Sequence, residues 1–113
     1  MHGLTVRWSL AGAPEGVEQA LRDYVADTSH ERFSGMAGLR FKTWRMRAGE
    51  WFEGCYVFET AEARARFQET FSAGAADAPG SQLVGSAPVL IEECAIVAVA
   101  EGAAGLVEAD RVD

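Results

Sequence analysis

The spacing of the apolar residues changes between two periods along this chain, and that change restricts the possible fold more than any other feature. Segment 4–10 (LTVRWSL) alternates strictly between apolar and polar residues, which is typical of a strand buried on one side. Segment 15–28 places its apolar residues three and four apart, which predicts an amphipathic helix. Segments 39–46 and 51–59 alternate again around a turn signal at 48–49, so they predict a β-hairpin.

The second half of the chain repeats the change from helix to strand. Thr60 is a favourable N-cap and begins a second predicted helix, which fades near residue 73. We interpret residues 74–80 as a loop and residues 83–100 as the last strand region. Residues 29–38 are predicted to connect the first helix to the second strand, with one further helical turn around residues 31–33.

The resulting element order, β-α-β-β-α-β, predicts an α+β fold of the ferredoxin-like type with a four-stranded antiparallel sheet. Right-handed crossovers place the first and third strands at the centre of the sheet and the second and fourth at its edges. Both helices then cover one sheet face and leave the other open. We expect this domain to span residues 1–102, followed by an acidic tail over residues 103–113.

Composition limits the partners and the compartment. The 113 residues are enough for one domain, and the net charge of -7 disfavours a nucleic acid or an anionic membrane as partner. No apolar run reaches the ~20 residues of a spanning helix, and the N-terminus lacks the pattern of a signal peptide. Cys55 and Cys94 form no disulfide framework, so we expect two small buried thiols in a cytoplasmic protein.

Motifs that would hold a metal or a cofactor are missing from the sequence. The only histidines are His2 and His30, and no cluster of His, Cys and Asp has the spacing of a metal site. Segment 35–38 (GMAG) has two glycines but reads as a turn, because it does not follow a strand as a phosphate-binding loop does. We therefore expect neither a metal nor a bound cofactor.

Lys42 and Trp44 are the leading candidates for chemistry. They lie two residues apart, so they share one face of the predicted second strand, while Phe41 and Thr43 occupy the other. The Phe41 face suits covering by helices, so we expect Lys42 and Trp44 to face the open side of the sheet. A desolvated lysine can bind or polarise a phenolate, and tryptophan offers a flat wall to an aromatic ligand. The alternative is that Lys42 only blocks stray pairing of an edge strand.

Four further residues are weaker candidates. Arg7 is a charge on a central strand and would either bind a ligand or form a salt bridge to Glu53 or Glu92. Tyr56 could hydrogen-bond a substrate oxygen or could equally belong to the core, and Phe58 shares its strand face. Glu92 could act as a general base if burial raised its pKa, or could pair with an arginine.

The motifs K-x-W at 42–44 and G-x-Y-x-F at 54–58, followed by a helix that opens at Glu59-Thr60, resemble the YdhR-type monooxygenases. That family belongs to the dimeric α+β barrel superfamily, alongside the antibiotic-biosynthesis monooxygenases. The resemblance covers roughly residues 4–102 and includes the turn at 10–14. It implies a homodimer whose open sheet faces meet, with a pocket in each half and no cofactor.

Three functions remain open at this stage. The first is a cofactor-independent monooxygenase for a small aromatic or polyketide-like substrate, held in a pocket on the open sheet face. Its catalytic residues would be Lys42, Trp44 and Tyr56, and Arg7, Phe58 and Glu92 would bind the substrate. The second is a non-redox cyclase, isomerase or decarboxylase on the same scaffold. The third is a dimer that binds a small molecule without turnover, since a fold alone does not decide among these.

Overall fold

The computed structural model describes residues 1–106 and confirms the α+β, ferredoxin-like fold. The sheet has four antiparallel strands in the order β2-β3-β1-β4, so the first and third strands are central, as predicted. The elements in chain order are β1 (His2–Ser9), α1 (Val17–Tyr24), a π-helical turn (Val25–Ser29), α2 (His30–Phe33), β2 (Leu39–Arg47), β3 (Trp51–Phe58), α3 (Ala61–Ala73), a 3-10 turn (Ala75–Asp77), α4 (Pro79–Val84) and β4 (Leu90–Ala95).

Local sequence signals account for the hairpin and for the start of α3. Gly49 has a φ of 76°, which favours glycine, and the Glu50 amide donates to the Arg47 carbonyl at 2.9 Å to close the β2–β3 turn. The side chain of Thr60 accepts a hydrogen bond from the Ala63 amide at 3.1 Å, so it caps α3 as its residue type predicts.

The core lies between the sheet and the helices. Leu4, Val6 and Trp8 alternate inward from β1, and Val6 is completely buried. Residues from β3 and from every helix complete the cluster, including Leu21, Phe33, Phe52, Phe58, Ala63 and Val84. Burial of such side chains stabilises a fold by ~1.5–3 kcal/mol each. β1, which the sequence predicts as a half-buried strand, therefore lies at the centre of the packing between the sheet and the helices.

The region 74–100 differs from its prediction. The segment predicted as a loop, residues 74–80, contains a 3-10 turn. Pro79 begins the short helix α4, because the first turn of a helix tolerates proline. The last strand is shorter than predicted, because Leu83 and Val84 belong to α4 and pairing with β1 ends at His2–Ala95. Residues 103–106 form neither helix nor strand, and residues 107–113 of the predicted tail lie outside the described residues.

The first helix also continues further than predicted. The π-helical turn carries the helical path from α1 directly into α2, which contains the helical turn expected around residues 31–33. A π turn shifts the angular phase of a helix, and both Ser29 and Phe33 are buried against the sheet. The supposed connection therefore contributes two side chains to the inside of the molecule.

Two other expectations can be compared with the structure. Both cysteines are free thiols, and they lie on strands separated by β1; Cys55 is half-buried, but Cys94 is exposed, so the expectation of burial was wrong for Cys94. Among residues 1–106, no helix is long and apolar enough to cross a membrane.

Candidate ligand-binding site

Lys42 and Trp44 lie on the sheet face that the helices cover, which corrects the face predicted from the sequence. The strand register places Lys42 beside Tyr56 and Trp44 beside Gly54. Tyr56 in turn pairs with Leu4, which is fully buried under the helices. Side chains at paired positions point to the same face of a sheet, so these residues face the interior.

The sequence predicted the wrong face because both sides of β2 are partly apolar. Phe41 and Thr43 occupy the uncovered face. A β-bulge between Leu39 and Phe41 breaks the alternation and puts Leu39 on the same side as Lys42. The apolar side chains of β1 alternate strictly and face the helices. Because β1 pairs with β3 and β3 pairs with β2, the register of these pairs decides which side of β2 is covered.

The amino group of Lys42 is enclosed by aromatic rings. It lies 3.4 Å from the ring centre of Phe33, 4.2 Å from that of Tyr56 and 4.4 Å from that of Trp44. It also donates a hydrogen bond to the Tyr56 hydroxyl at 3.0 Å. Lys42 as a whole residue is half-buried, but its amino group lies at the inner end of the side chain, in an environment with little water.

This environment changes the acid–base properties of both groups. Desolvation, with a smaller contribution from the nearby Arg32 charge, lowers the pKa of Lys42 to about 6. Desolvation also raises the pKa of Tyr56, and Arg32 opposes that change. At neutral pH the site therefore holds a neutral amine beside a protonated phenol.

Trp44 forms a wall that is held in place by the unusual helical region. Its indole N–H donates to the Ser29 hydroxyl at 3.2 Å, and Ser29 is 2% exposed. The ring of His30 lies tilted against it at a centroid distance of 5.9 Å, and the ring of Phe33 packs edge-on at 6.1 Å. The π turn and α2 thus orient the tryptophan that the sequence singled out.

A cavity of about 250 Å³ lies between the sheet and the helices around these residues. Its polar lining includes Ser29, Arg32, Lys42, Tyr56 and Thr70, and its aromatic lining includes Trp8, Tyr24, Phe33, Trp44, Phe67 and Phe71. No aspartate or glutamate of residues 1–106 lines it. The cavity can therefore accept a small planar molecule beside a neutral amine.

A larger and shallower groove of about 800 Å³ runs along the edge strand β2. Phe33, Lys42, Trp44 and Phe52 line both this groove and the cavity. The two spaces therefore meet at Lys42, which gives a ligand a route to the amine from the β2 edge.

The other three predicted site residues lie elsewhere. Arg7 is on the uncovered face, where its Nε donates to Glu53 at 2.7 Å, which is the salt bridge foreseen as the alternative. Glu92 is exposed on β4, opposite Thr5 of β1 and also on the uncovered face. Phe58 is 2% exposed within the core. None of the three lines the cavity or the groove.

Sequence reasoning missed the residues that complete the site. Arg32, Phe33 and Ser29 were assigned to a connection, so their proximity to Lys42 was not foreseen. One signal was available in the basic residues of the sequence. Lys42 is the only lysine, and all the other basic residues of the Lys and Arg types are arginines. Of lysine and arginine, only lysine can become neutral, because arginine stays protonated in proteins.

Within residues 1–106, no three His, Cys, Asp or Glu side chains lie close enough together to hold a metal ion. Neither the comparison with protein-family models nor that with the curated proteins finds a match to this chain.

Proposed function

We propose that this protein is a cofactor-independent monooxygenase that acts on a small phenol or polyketide-like aromatic molecule in the cavity around Lys42. The observation that carries the proposal is the amine of Lys42, which is enclosed by three aromatic rings and lies 3.0 Å from the Tyr56 hydroxyl. The ferredoxin-like topology and the K-x-W motif are compatible with membership of the YdhR-type family, which we propose on the same grounds.

The chemistry begins with proton transfer. Lys42, with its pKa near 6, accepts the phenolic proton and becomes an ammonium that pairs with the phenolate. Tyr56 donates a hydrogen bond to the same oxygen, since its raised pKa keeps its hydroxyl protonated. Exclusion of water strengthens both interactions.

Molecular oxygen then reacts with the electron-rich anion. One electron passes from the phenolate to oxygen, and recombination of the two radicals forms a C–O bond at the ring carbon opposite the phenolate. The Lys42 ammonium protonates the resulting peroxide anion. Loss of the ring C–H proton breaks the O–O bond, so a new carbonyl and one water are formed. Phenol and oxygen thus give quinone and water without another reductant.

We test this by oxygen uptake with 1-naphthol, which has a free ring position opposite its hydroxyl. The wild-type protein should consume one oxygen per quinone, and Lys42→Met and Lys42→Arg should each reduce the rate at least ~100-fold, because general-base catalysis contributes ~10²–10⁴. Arg66→Gln, an exposed change on α3, serves as the control. Equal uptake by wild type and Lys42→Met would contradict the proposal.

A non-redox function is the second candidate, favoured by the same pairing of a neutral amine with a phenolic hydroxyl. Such a pair can move a proton between two atoms of a substrate, as isomerases and decarboxylases require. Turnover of a polyketide-like substrate under strict anaerobiosis would select this function over oxygenation. Ligand retained in native mass spectrometry without turnover under either condition would select a binding protein.

We also propose that the protein acts as a cytoplasmic homodimer paired through the uncovered sheet face. No helix of residues 1–106 covers this face, and large apolar side chains are exposed beside and beyond β4 at Val89, Val97 and Val99. The two free cysteines are compatible with a reducing compartment. Sedimentation equilibrium should give twice the chain mass of 12.1 kDa; a single-chain mass at micromolar concentration would contradict the pairing.

A further inference from the structure

The charges around the cavity are unusual for this chain. The whole sequence carries 17 acidic residues against 10 basic ones, yet no Asp or Glu of the described part of the chain lines the cavity. Its lining instead includes the cationic side chain of Arg32 and the amine of Lys42. An anion inside this space would therefore meet no like charge on the described walls.

Arg32 is placed to meet a ligand that has already reached Lys42. Its guanidinium carbon lies 4.8 Å from the ring centre of Phe33, and the amine of Lys42 lies 3.4 Å from the same ring. Arg32 is exposed, whereas the amine of Lys42 is enclosed, and both side chains line the cavity. Within residues 1–106 its guanidinium makes no ion pair.

We infer that the ligand of this cavity is a hydroxy-substituted aromatic carboxylate, held with its carboxylate on Arg32 and its hydroxyl toward Lys42. The inference rests on the proposed site, and it adds the substrate class that the site selects. Arginine binds carboxylates through two parallel hydrogen bonds, which fixes the orientation of a planar acid as well as attracting it. The ring of the ligand would then lie against Trp44.

The dimensions of the cavity limit the size of this ligand. A volume of about 250 Å³ is smaller than the ~300–1,000 Å³ of typical pockets for drug-sized ligands. One or two fused rings fit such a space. Flat aromatic walls favour a planar ligand over an aliphatic acid of equal charge. We therefore take 5-hydroxy-2-naphthoate as the probe.

The experiment compares this acid with its methyl ester, which has the same rings and hydroxyl but no charge. Isothermal titration under nitrogen at pH 7.5 should show the acid binding about tenfold or more tightly than the ester to the wild-type protein. Arg32→Gln should reduce this preference to about twofold or less, because the loss of affinity falls mainly on the charged acid. Arg66→Gln removes the same charge from an exposed site that does not line the cavity, and it should retain the wild-type preference.

Three results would overturn the inference: equal affinity of the wild type for acid and ester, an unchanged preference in Arg32→Gln, or no measurable binding of the acid. Because titration is done without oxygen, it is independent of turnover. A preference for the acid that depends on Arg32, without oxygen uptake when air is admitted, would uphold the substrate class and contradict the monooxygenase function. Equally efficient oxygen uptake with the acid and the ester would uphold the monooxygenase function and contradict the substrate class.

Discussion

At the scale of the residue, Lys42 is the one lysine of the chain, and its amino group lies where a charge would lower the stability of the fold. The amine is enclosed among aromatic rings rather than solvated. Burial of a charge lowers stability unless the group loses its charge or gains a partner. Retaining the amine there is understandable if a neutral base is needed at that point.

The buried amine predicts how stability depends on pH. Lys42 has a folded-state pKa of about 6 against its ordinary value of 10.5, so between these pH values the unfolded chain binds one more proton than the folded chain. The free energy of unfolding should therefore rise with pH across this window, by up to ~1.4 kcal/mol per pH unit from this residue. Lys42→Met should remove that rise.

Urea unfolding of both proteins between pH 6.5 and pH 9 measures this difference. Arg66→Met, which removes an exposed charge from α3, should keep the wild-type slope. Parallel curves for wild type and Lys42→Met would mean that the amine titrates normally in the folded protein.

Gly54 leaves the space in which the amine and the phenol meet. A Cβ at this position would lie 3.2 Å from Cε of Lys42 and 3.2 Å from Cε1 of Tyr56, which is closer than ordinary contact. Gly54→Ala should displace both groups and weaken binding of 5-hydroxy-2-naphthoate about tenfold, at a stability cost of ~1–3 kcal/mol. Gly102→Ala, where a Cβ meets no atom within 4 Å, should change neither quantity. Unchanged titration of Gly54→Ala would place the ligand elsewhere.

The sequence paired Lys42 with Trp44 but placed them on the wrong side of the sheet. The K-x-W spacing put Lys42 and Trp44 on one face, and that pairing is correct. Which face is covered depends on cross-strand register and on a bulge next to Arg40, and both are long-range consequences of β1 and β3 packing. Arg32 was missed because its helical turn had no visible link to the sheet.

At the scale of the element, the short helix α4 shows the limit of local signals. Its sequence Pro79-Gly80-Ser81 is typical of a loop, and six residues form no stable helix alone. Packing supplies what propensity lacks. A Cβ on Gly80 would lie 2.9 Å from the indole of Trp8, so the helix backbone rests directly on that ring. The first three strands and the helices α1 and α3, by contrast, carry their own periodicity and were predictable.

Ser81 joins α4 to the sheet and predicts a measurable loss when removed. The Trp8 indole N–H donates to the Ser81 hydroxyl at 2.9 Å in a buried position, and that hydroxyl donates to the Ala75 carbonyl at 2.6 Å. Ser81→Ala would leave a buried N–H without a partner, which costs ~1–3 kcal/mol of unfolding free energy. Chemical denaturation measures this, with the exposed Ser86→Ala as control. A loss below ~0.5 kcal/mol would show that the hydrogen bond contributes little.

At the scale of the whole molecule, the two faces of the sheet have different tasks. One face and the helices enclose the core and the cavity, while the uncovered face carries an ionic cluster across three strands. Glu53 of β3 is 1% exposed and pairs with Arg7 of β1 and Arg45 of β2 at 2.5 and 2.6 Å. Burial tends to raise the pKa of Glu53, but hydrogen bonds from Cys55, Arg7 and Arg45 together outweigh it and hold that pKa below its ordinary value.

This cluster should stabilise the sheet above the acid range. Glu53→Gln removes the negative charge between two guanidinium groups and should cost ~1–3 kcal/mol at pH 7, a reduced figure because both arginines are partly exposed. Glu59→Gln, in an exposed pair with Arg40 at 3.5 Å, should cost under ~0.5 kcal/mol. Since the pKa of Glu53 is lowered on folding, its contribution is present at neutral pH and lost as the pH falls through the folded-state value. Equal losses for the two variants would contradict a structural role for the cluster.

The protonation of Lys42 can be read directly, because the sequence contains one lysine. Protein grown with lysine labelled with ¹³C at Cε gives a single side-chain resonance, whose chemical shift reports the charge of the neighbouring amine. A titration from pH 5 to pH 11 should show a midpoint near 6, as the enclosed position requires. A midpoint near the ordinary ~10.4 would mean that the amine is charged at neutral pH, and Lys42 could not then be the base of this site.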